Sequence, residues 1–354
     1  MINVIKQWYE RNFSDPQTII FALILIFGAM LIVVMNAHLL PILVGIIVAY
    51  LFEGAVVRLR LNRTLAASLV TALILTIILL AFFVLLPLLS KQISELIRET
   101  PTMLGKGQQL LSQLPQKYPD YVSSQQISEI LGLLRAEITS GGQRAVSLSL
   151  SSVVSIITFF VYMILLPLMV FFFLKDKDLI LDWLGHFMPQ ERRLVRQVWA
   201  DLDIKIASYV RGKFIEVIVI WVATYIAFAY LGLNYAMLLS LLVGLSVIIP
   251  YVGATVVTIP VALIAYFQWG STSEFGYLMA VYAFIQFLDG NLLVPLLFSE
   301  VVNLHPIAII VAVVFFGSVW GVWGVFFAIP LATLVQAVIK AWPSSRSLPE
   351  SENT

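Results

Sequence analysis

Asp289 stands in a stretch that would otherwise sit comfortably in lipid. From Phe284 to Pro330 the chain reads FIQFLDGNLLVPLLFSEVVNLHPIAIIVAVVFFGSVWGVWGVFFAIP, and it also carries Gln286, Asn291, Glu300 and His305. An ionisable group at bilayer depth costs about 3 kcal/mol on insertion scales, so it marks a functional site by default. The nearest basic residues in sequence are Lys213 and Lys340, and neither lies on the same or an adjacent expected helix. Such a carboxyl suits a proton carrier, a cation ligand or a solvated residue at a helix break. The functional roles are the stronger reading, because Gln286, Asn291 and Pro295 would add amide and unwound-backbone oxygens beside it. Secondary transporters build midplane sites from discontinuous helices in this way.

The same stretch is interrupted by Gly290, Pro295, Pro306, Gly317, Gly321, Gly324 and Pro330. Broken helices at membrane depth are tolerated only where protein or a water-filled cavity surrounds them. Gly317, Gly321 and Gly324 read first as close-packing positions, with a hinge or gate as the alternative. Trp320 and Trp323 suit interface anchors or the wall of a path. A second break falls at Pro250, Tyr251 and Gly253, where a packing kink and a binding role have equal claim. Glu216 with Arg211 and Lys213 reads as a solvated cluster at a helix entrance. His305 reads as a helix cap before Pro306, Glu300 as a loop residue and His38 as a turn residue at the interface.

The elements that must position these groups are helices in a bilayer. Of 354 residues, 60% are hydrophobic and only 12% charged, with a mean hydropathy of +0.97. Residues 16–52, 64–90, 145–174, 217–273 and 301–339 contain no Asp, Glu, Lys or Arg. An apolar run of about 20 residues crosses the hydrocarbon core, so the fold class is an all-α polytopic integral membrane protein. There is no Cys, the three His are scattered, and no phosphate-binding glycine loop is present. No paired carboxylates, HExxH or nucleophile–base pairing point to an enzyme, and no cofactor, metal site or nucleic-acid partner is expected. The net charge of +1 is silent on nucleic acid. The leader, with WYERNFSD at 8–15, does not read as a cleavable signal.

In chain order, 1–17 is a polar leader and 16–52 a tight helical hairpin interrupted at Asn36, His38 and Pro41. A third helix covers about 64–90, and a fourth about 150–174, ending at FLKDKD. Between them, 91–150 reads as a helical extramembrane subdomain. Ile127, Ile130, Leu131, Leu134 and Ile138 form one face of an amphipathic helix, Ile93, Leu96 and Ile97 precede Pro101, and LPQKYPDY (114–121) is a break. Its apolar faces are expected to pack on each other or on a neighbouring subunit. The segment 175–213 carries eight basic residues, and Ile204, Ala207, Ser208 and Arg211 suggest a surface helix that enters the membrane at 211–216. With the N-terminus inside, fifteen Lys and Arg fall in cytoplasmic segments against six in the 91–150 loop. The positive-inside rule therefore places that loop outside. Segments 235–268 and 305–341 are each broken, the first into halves of 14–15 residues. Kinked crossings would give eight transmembrane helices with Ser273 cytoplasmic; re-entrant hairpins would give six full crossings with Ser273 external. Eight is the favoured count, and both architectures leave the C-terminus inside.

At these residues the chain resembles the autoinducer-2 exporter (AI-2E) family. The similar blocks are QWYERNFSDP (7–16), PLMVFFFLKDK (167–177), YVRGK (209–213), LGLNYAMLLSLLVGLSVIIPYVGA (231–254), LDGNLLVPLLFSEVVNLHP (288–306) and WGVWGVFFAIPLAT (320–333). The resemblance implies a bacterial inner-membrane protein of nominally eight helices, associating as a homo-oligomer. It also implies export of small molecules or signals, with sodium/proton exchange in some members.

The reading divides the chain into transmembrane helices 1–3 (1–90), a periplasmic subdomain (91–150), transmembrane helix 4 (151–174), a cytoplasmic basic segment (175–213), a C-terminal transmembrane core (214–341) and a cytoplasmic tail (342–354). The expected function is a permease: a secondary transporter exporting a small polar molecule by alternating access. Regions 235–268 and 284–330 would form the pathway, with Asp289 coupling it to a proton or cation gradient. The competing reading is an accessory or scaffold protein acting through 91–150 and 175–213 without transport.

Overall fold

The computed structural model describes residues 30, 36–117, 125, 129, 132, 152–186, 193–250, 252–298 and 304–341. The expected leader and most of the first half of the hairpin, the amphipathic face of Ile127, Ile130, Leu131, Leu134 and Ile138, the side chain of His38, Tyr251, Glu300 and the tail 342–354 lie outside the described residues. Among the described residues all regular structure is helical. The helices are α1 (Asn36–Arg58), α2 (Arg63–Leu80), α3 (Leu86–Lys117), α4 (Ser152–Lys175), α5 (Lys177–His186), α6 (Arg193–Tyr230), α7 (Ala236–Ser246), α8 (Val252–Trp269), α9 (Ser273–Leu288), α10 (Val294–Phe298), α11 (Pro306–Phe326) and α12 (Ala328–Ala341). Two π-helical segments, Ala81–Leu85 and Asp289–Leu293, join α2 to α3 and α9 to α10.

Each π segment ends two residues before a proline, Pro87 or Pro295. A proline has no N–H for the carbonyl four residues back, and its ring clashes with that carbonyl. Here those carbonyls belong to Phe83 and Asn291, in the middle of each widened turn, and the wider turn absorbs the conflict without breaking the helix. Ser273–Phe298 is therefore one span of 26 residues, and the unwound backbone expected at Pro295 is a π turn instead. Similarly, α2 and α3 run as one helix across residue 90 and through Pro101 to Lys117. At 1.5 Å per residue this rod is about 80 Å long, well beyond a bilayer core of about 30 Å.

Six helical stretches among the described residues are long and apolar enough to cross a membrane: Pro41–Arg58, Arg63–Gln109, Lys205–Tyr230, Val252–Trp269, Ser273–Phe298 and Pro306–Phe326. On α2, Ala66, Ala67, Val70 and Ile74 face inward, while Leu65, Leu69, Leu73, Ile77 and Leu80 are exposed. A continuous ridge of exposed leucines is foreign to a water-facing surface and suits acyl chains.

Burial falls into three clusters. Helices α1, α2 and α4 pack around Ala49, Val56, Ala67, Val70, Val170 and Leu174. Helices α6 to α9 pack around Phe228, Leu239, Val243, Val261, Leu278 and Tyr282, with Leu96 and Met103 of α3 added at the edge. The third cluster joins α1, α6, α10, α11 and α12 through Ile47, Tyr209, Val210, Phe298, Ile309 and Ile329.

The break expected within 235–268 is present but uneven. Helix α7 has only 11 residues, about 16 Å, whereas α8 has 18. The inequality arises because the turn before α7 uses residues up to Tyr235, with Gly232 and Tyr235 both at positive φ. Tyr235 offers no side-chain cap, and Gln92 of α3 supplies one: its Oε1 accepts the Leu238 N–H at 2.9 Å. Burial, together with the hydrogen-bonded Glu99 carboxylate of α3, pushes the Tyr235 phenol up to about 12. Helix α11 is broken inside the expected 317–324 stretch, at Gly321 (φ 61°, ψ −140°). His305 caps its start, its Nδ1 accepting the Ile307 N–H at 3.3 Å, with Pro306 in the first turn.

Candidate functional site

Helix α6 carries a buried stripe of Tyr209, Lys213, Glu216, Ile220, Thr224 and Phe228, recurring every three or four residues as one helical face does. Lys213 is 5% and Glu216 2% exposed. The reading of Glu216, Lys213 and Arg211 as a solvated cluster is therefore overturned for two of the three. Helix α6 is continuous from Arg193 through 211–216, and the interior stripe of this helix includes Lys213 and Glu216. Arg211, two positions before Lys213, falls on roughly the opposite face and is exposed.

Lys213 Nζ donates to Glu216 Oε2 at 2.7 Å and to the Val247 carbonyl at 2.7 Å. It also stands 5.3 Å from the centroid of the Phe298 ring, within cation–π range. Val247 lies where α7 stops. Pro250 has no N–H to offer the Ser246 carbonyl four residues back. Tighter bonds close the end instead, Ile248 N–H to Leu245 O (3.2 Å) and Ile249 N–H to Ser246 O (3.0 Å). The Val247 oxygen is then taken by Lys213. Gly253, buried at the start of α8, is pressed so closely against this turn that a Cβ would lie 1.7 Å from the Ser246 oxygen.

The second break repeats the arrangement. A Cβ on Gly324 would lie 1.8 Å from the Phe316 oxygen, and the Tyr209 hydroxyl donates to the Phe326 carbonyl at 3.2 Å. Tyr209 and Lys213 are one turn apart on α6, so adjacent donors on one helix bind a carbonyl oxygen from each broken segment. Removing a buried partner leaves the other group's desolvation uncompensated, at about 1–2 kcal/mol. Tyr209→Phe is expected to lower stability by that amount in a detergent melting experiment; a wild-type melting curve would show the bond to be idle.

Asp289 opens the second π segment and is 9% exposed. It lies in electrostatic reach of Lys213, and Glu216 feels both groups. The lysine, remote in sequence, is thus a positive charge near Asp289 that sequence reasoning did not find, although its ion pair is with Glu216. Asp289 Oδ1 is buried with no hydrogen-bond partner among the described residues, as is Gln286 Nε2 one turn before it. Asn291 points elsewhere: it is exposed, and its Nδ2 donates to the Phe287 carbonyl at 2.9 Å. Gly290 and Pro295 are exposed, Pro250 and Gly317 half-buried and Pro330 buried. The structure thus brings Asp289 and the turn before Pro250 towards Lys213 and Glu216, and leaves Asn291 outside. Among the described residues no group of three His, Asp or Glu side chains is arranged to hold a metal ion.

Long apolar helices, two of them broken, around an interior charge cluster define a multi-pass α-helical membrane protein. The chain belongs to the AI-2E transporter family, whose description, AI-2E family transporter, matches residues 19–344. It is 47% identical over 349 residues to "Putative permease PerM" of Escherichia coli (strain K12), covering 98% of this chain and 99% of that protein. It is also 27% identical to "Putative transport protein YueF" of Bacillus subtilis, over 90% of each chain.

Proposed function

We propose that this protein is an inner-membrane permease: a secondary transporter that exports a small polar molecule and draws on a proton or cation gradient. The carrying observation is the buried group of Lys213, Glu216 and Asp289 beside two helix breaks. Intramembrane charges face pathways or one another, and π segments and broken helices recur at functional sites. The relatives' names as permease and transport proteins support the same reading.

The chemistry suggests how coupling works. The Lys213 ammonium is held by a carboxylate, a main-chain carbonyl and an aromatic face. That donor set equally suits a small monovalent cation, and Asp289 offers a second carboxylate with an uncommitted oxygen. Protonation of Asp289, or arrival of a cation, changes what Lys213 must neutralise and so alters its hold on the end of α7. The breaks in 235–268 and 305–341 then give the alternating-access motion its flexing points. In this reading both termini are cytoplasmic, the external part of 91–150 is periplasmic, and the protein works as a homo-oligomer.

The test uses purified protein in liposomes, wild type beside Asp289→Asn, under an imposed proton gradient and then a sodium gradient. Internal pH and efflux of a panel of small polar metabolites are followed. Asp289→Asn is expected to abolish gradient-driven flux while melting and oligomer size stay as in wild type. Undiminished flux in the variant would remove Asp289 from the pathway, and absence of flux under every gradient would shift weight to the scaffold reading.

A further inference from the structure

Away from Lys213, a groove of about 580 Å³ runs between α1, α2 and α6, lined by Leu51, Gly54, Leu69 and Leu73 together with Arg58 and Arg211. The neighbouring Arg63 is fully engaged: it meets Glu53 at 3.1 Å and Asp178 at 3.8 Å, and its Nε donates to the Leu174 carbonyl at 2.9 Å. Arg58 and Arg211 are exposed, and among the described residues no carboxylate pairs with either. Arg58 is the last residue of the span Pro41–Arg58, which puts its guanidinium at the membrane interface. Leu51 lies seven residues deeper, about 10 Å, and Leu73 lies ten residues into α2, about 15 Å. Leu69 and Leu73 are more than half exposed. The groove thus has two unpaired guanidinium groups at its mouth and an aliphatic wall running towards the bilayer interior.

We propose that this groove binds an anionic phospholipid of the bilayer, with its phosphate held by Arg58 and Arg211 and one acyl chain lying along Leu51, Leu69 and Leu73. Guanidinium groups match phosphate oxygens in a planar, two-point fashion that an ammonium does not. Basic pockets between membrane helices recognise anionic head groups for this reason. A free phosphate ion would use the arginines but leave the aliphatic wall without a role, so the wall decides for a lipid. Because Arg211 is on α6, two residues from Lys213, the bound lipid ties α1 and α2 to the helix that carries the charge cluster. The proposal is independent of the transport reading.

The test is native mass spectrometry of the full chain in detergent, titrated with phosphatidylglycerol and with phosphatidylcholine of the same acyl chains. Phosphatidylglycerol is expected to be retained in preference. The double variant Arg58→Gln/Arg211→Gln is expected to lose about thirtyfold in that affinity, whereas Arg60→Gln, outside the lining, binds as wild type. Leu69→Trp fills the groove, keeps both arginines and is expected to lose the lipid as well. Equal retention of the two lipids, or wild-type binding by the double variant or by Leu69→Trp, would overturn the proposal. Displacement of phosphatidylglycerol by millimolar inorganic phosphate would overturn the lipid occupant in favour of a free anion.

Discussion

Replacing Lys213 by methionine is expected to destabilise the protein by about 3–5 kcal/mol, the cost of stripping one partner from a buried ion pair. Methionine keeps the length of the side chain, so packing against Phe298 largely survives and the loss is mainly electrostatic. Three groups lose their donor or counter-charge at once: the Glu216 carboxylate, the Val247 carbonyl and, at longer range, Asp289. The melting temperature of the detergent-solubilised protein reads the effect. The second arm is Lys213→Met combined with Glu216→Leu. Replacing both members of a buried pair by apolar groups is often near neutral, so the double variant is expected to recover much of the lost stability. Whatever deficit remains measures what Val247 and Asp289 drew from the ammonium. If Lys213→Met melts with wild type, the ammonium is not held in the interior.

The other large effect is expected at the two break glycines. Gly253→Ala would set a Cβ 1.7 Å from the Ser246 oxygen and 2.6 Å from its carbonyl carbon; Gly324→Ala would set one 1.8 Å from the Phe316 oxygen. Both obstacles are backbone, so no side-chain rotation relieves them and the breaks themselves must move. Overpacking a closed interior costs about 1–3 kcal/mol, and a fixed obstacle puts these substitutions at or above the upper end. Gly290→Ala is the internal control. Its Cβ meets nothing within 4 Å, and it is expected to stay within about 0.5 kcal/mol of wild type, as surface substitutions away from such features do. If Gly253→Ala and Gly324→Ala behave like Gly290→Ala in the same melting experiment, the close approach at the breaks is refuted.

Much of the helical architecture was legible because lipid imposes a simple demand: long uncharged runs. The breaks at Pro250–Gly253 and around Gly321 were legible because proline and glycine disturb a hydrogen-bond ladder wherever they fall. Asp289 stood out as a carboxylate with no business in hydrocarbon. The ion pair was missed because Lys213 and Glu216 sit beside Arg211 at the edge of an apolar run, where charge reads as solvent. The decisive signal was periodic: Tyr209, Lys213, Glu216, Ile220, Thr224 and Phe228 share one face, and Arg211 does not. The electrostatic influence of Lys213 on Asp289 has no local signal at all, since it runs from α6 to the π turn after α9. The continuity of α3 was hidden by composition: charged residues after position 90 mark where lipid ends, which is a different matter from where a helix ends.

Helix α7 is too short to span the membrane, and each of its ends is also tied to a helix remote in sequence. Gln92 of α3 holds the first turn and Lys213 of α6 holds the last. Mechanically it is a strut pinned at both ends to different beams. A shift of the long α3 rod pulls on one pin and a shift of α6 pulls on the other, so the tilt of α7 registers their separation. The Lys213 pin is also the charged one, which makes the strut's lower fastening sensitive to whatever Asp289 and Glu216 carry.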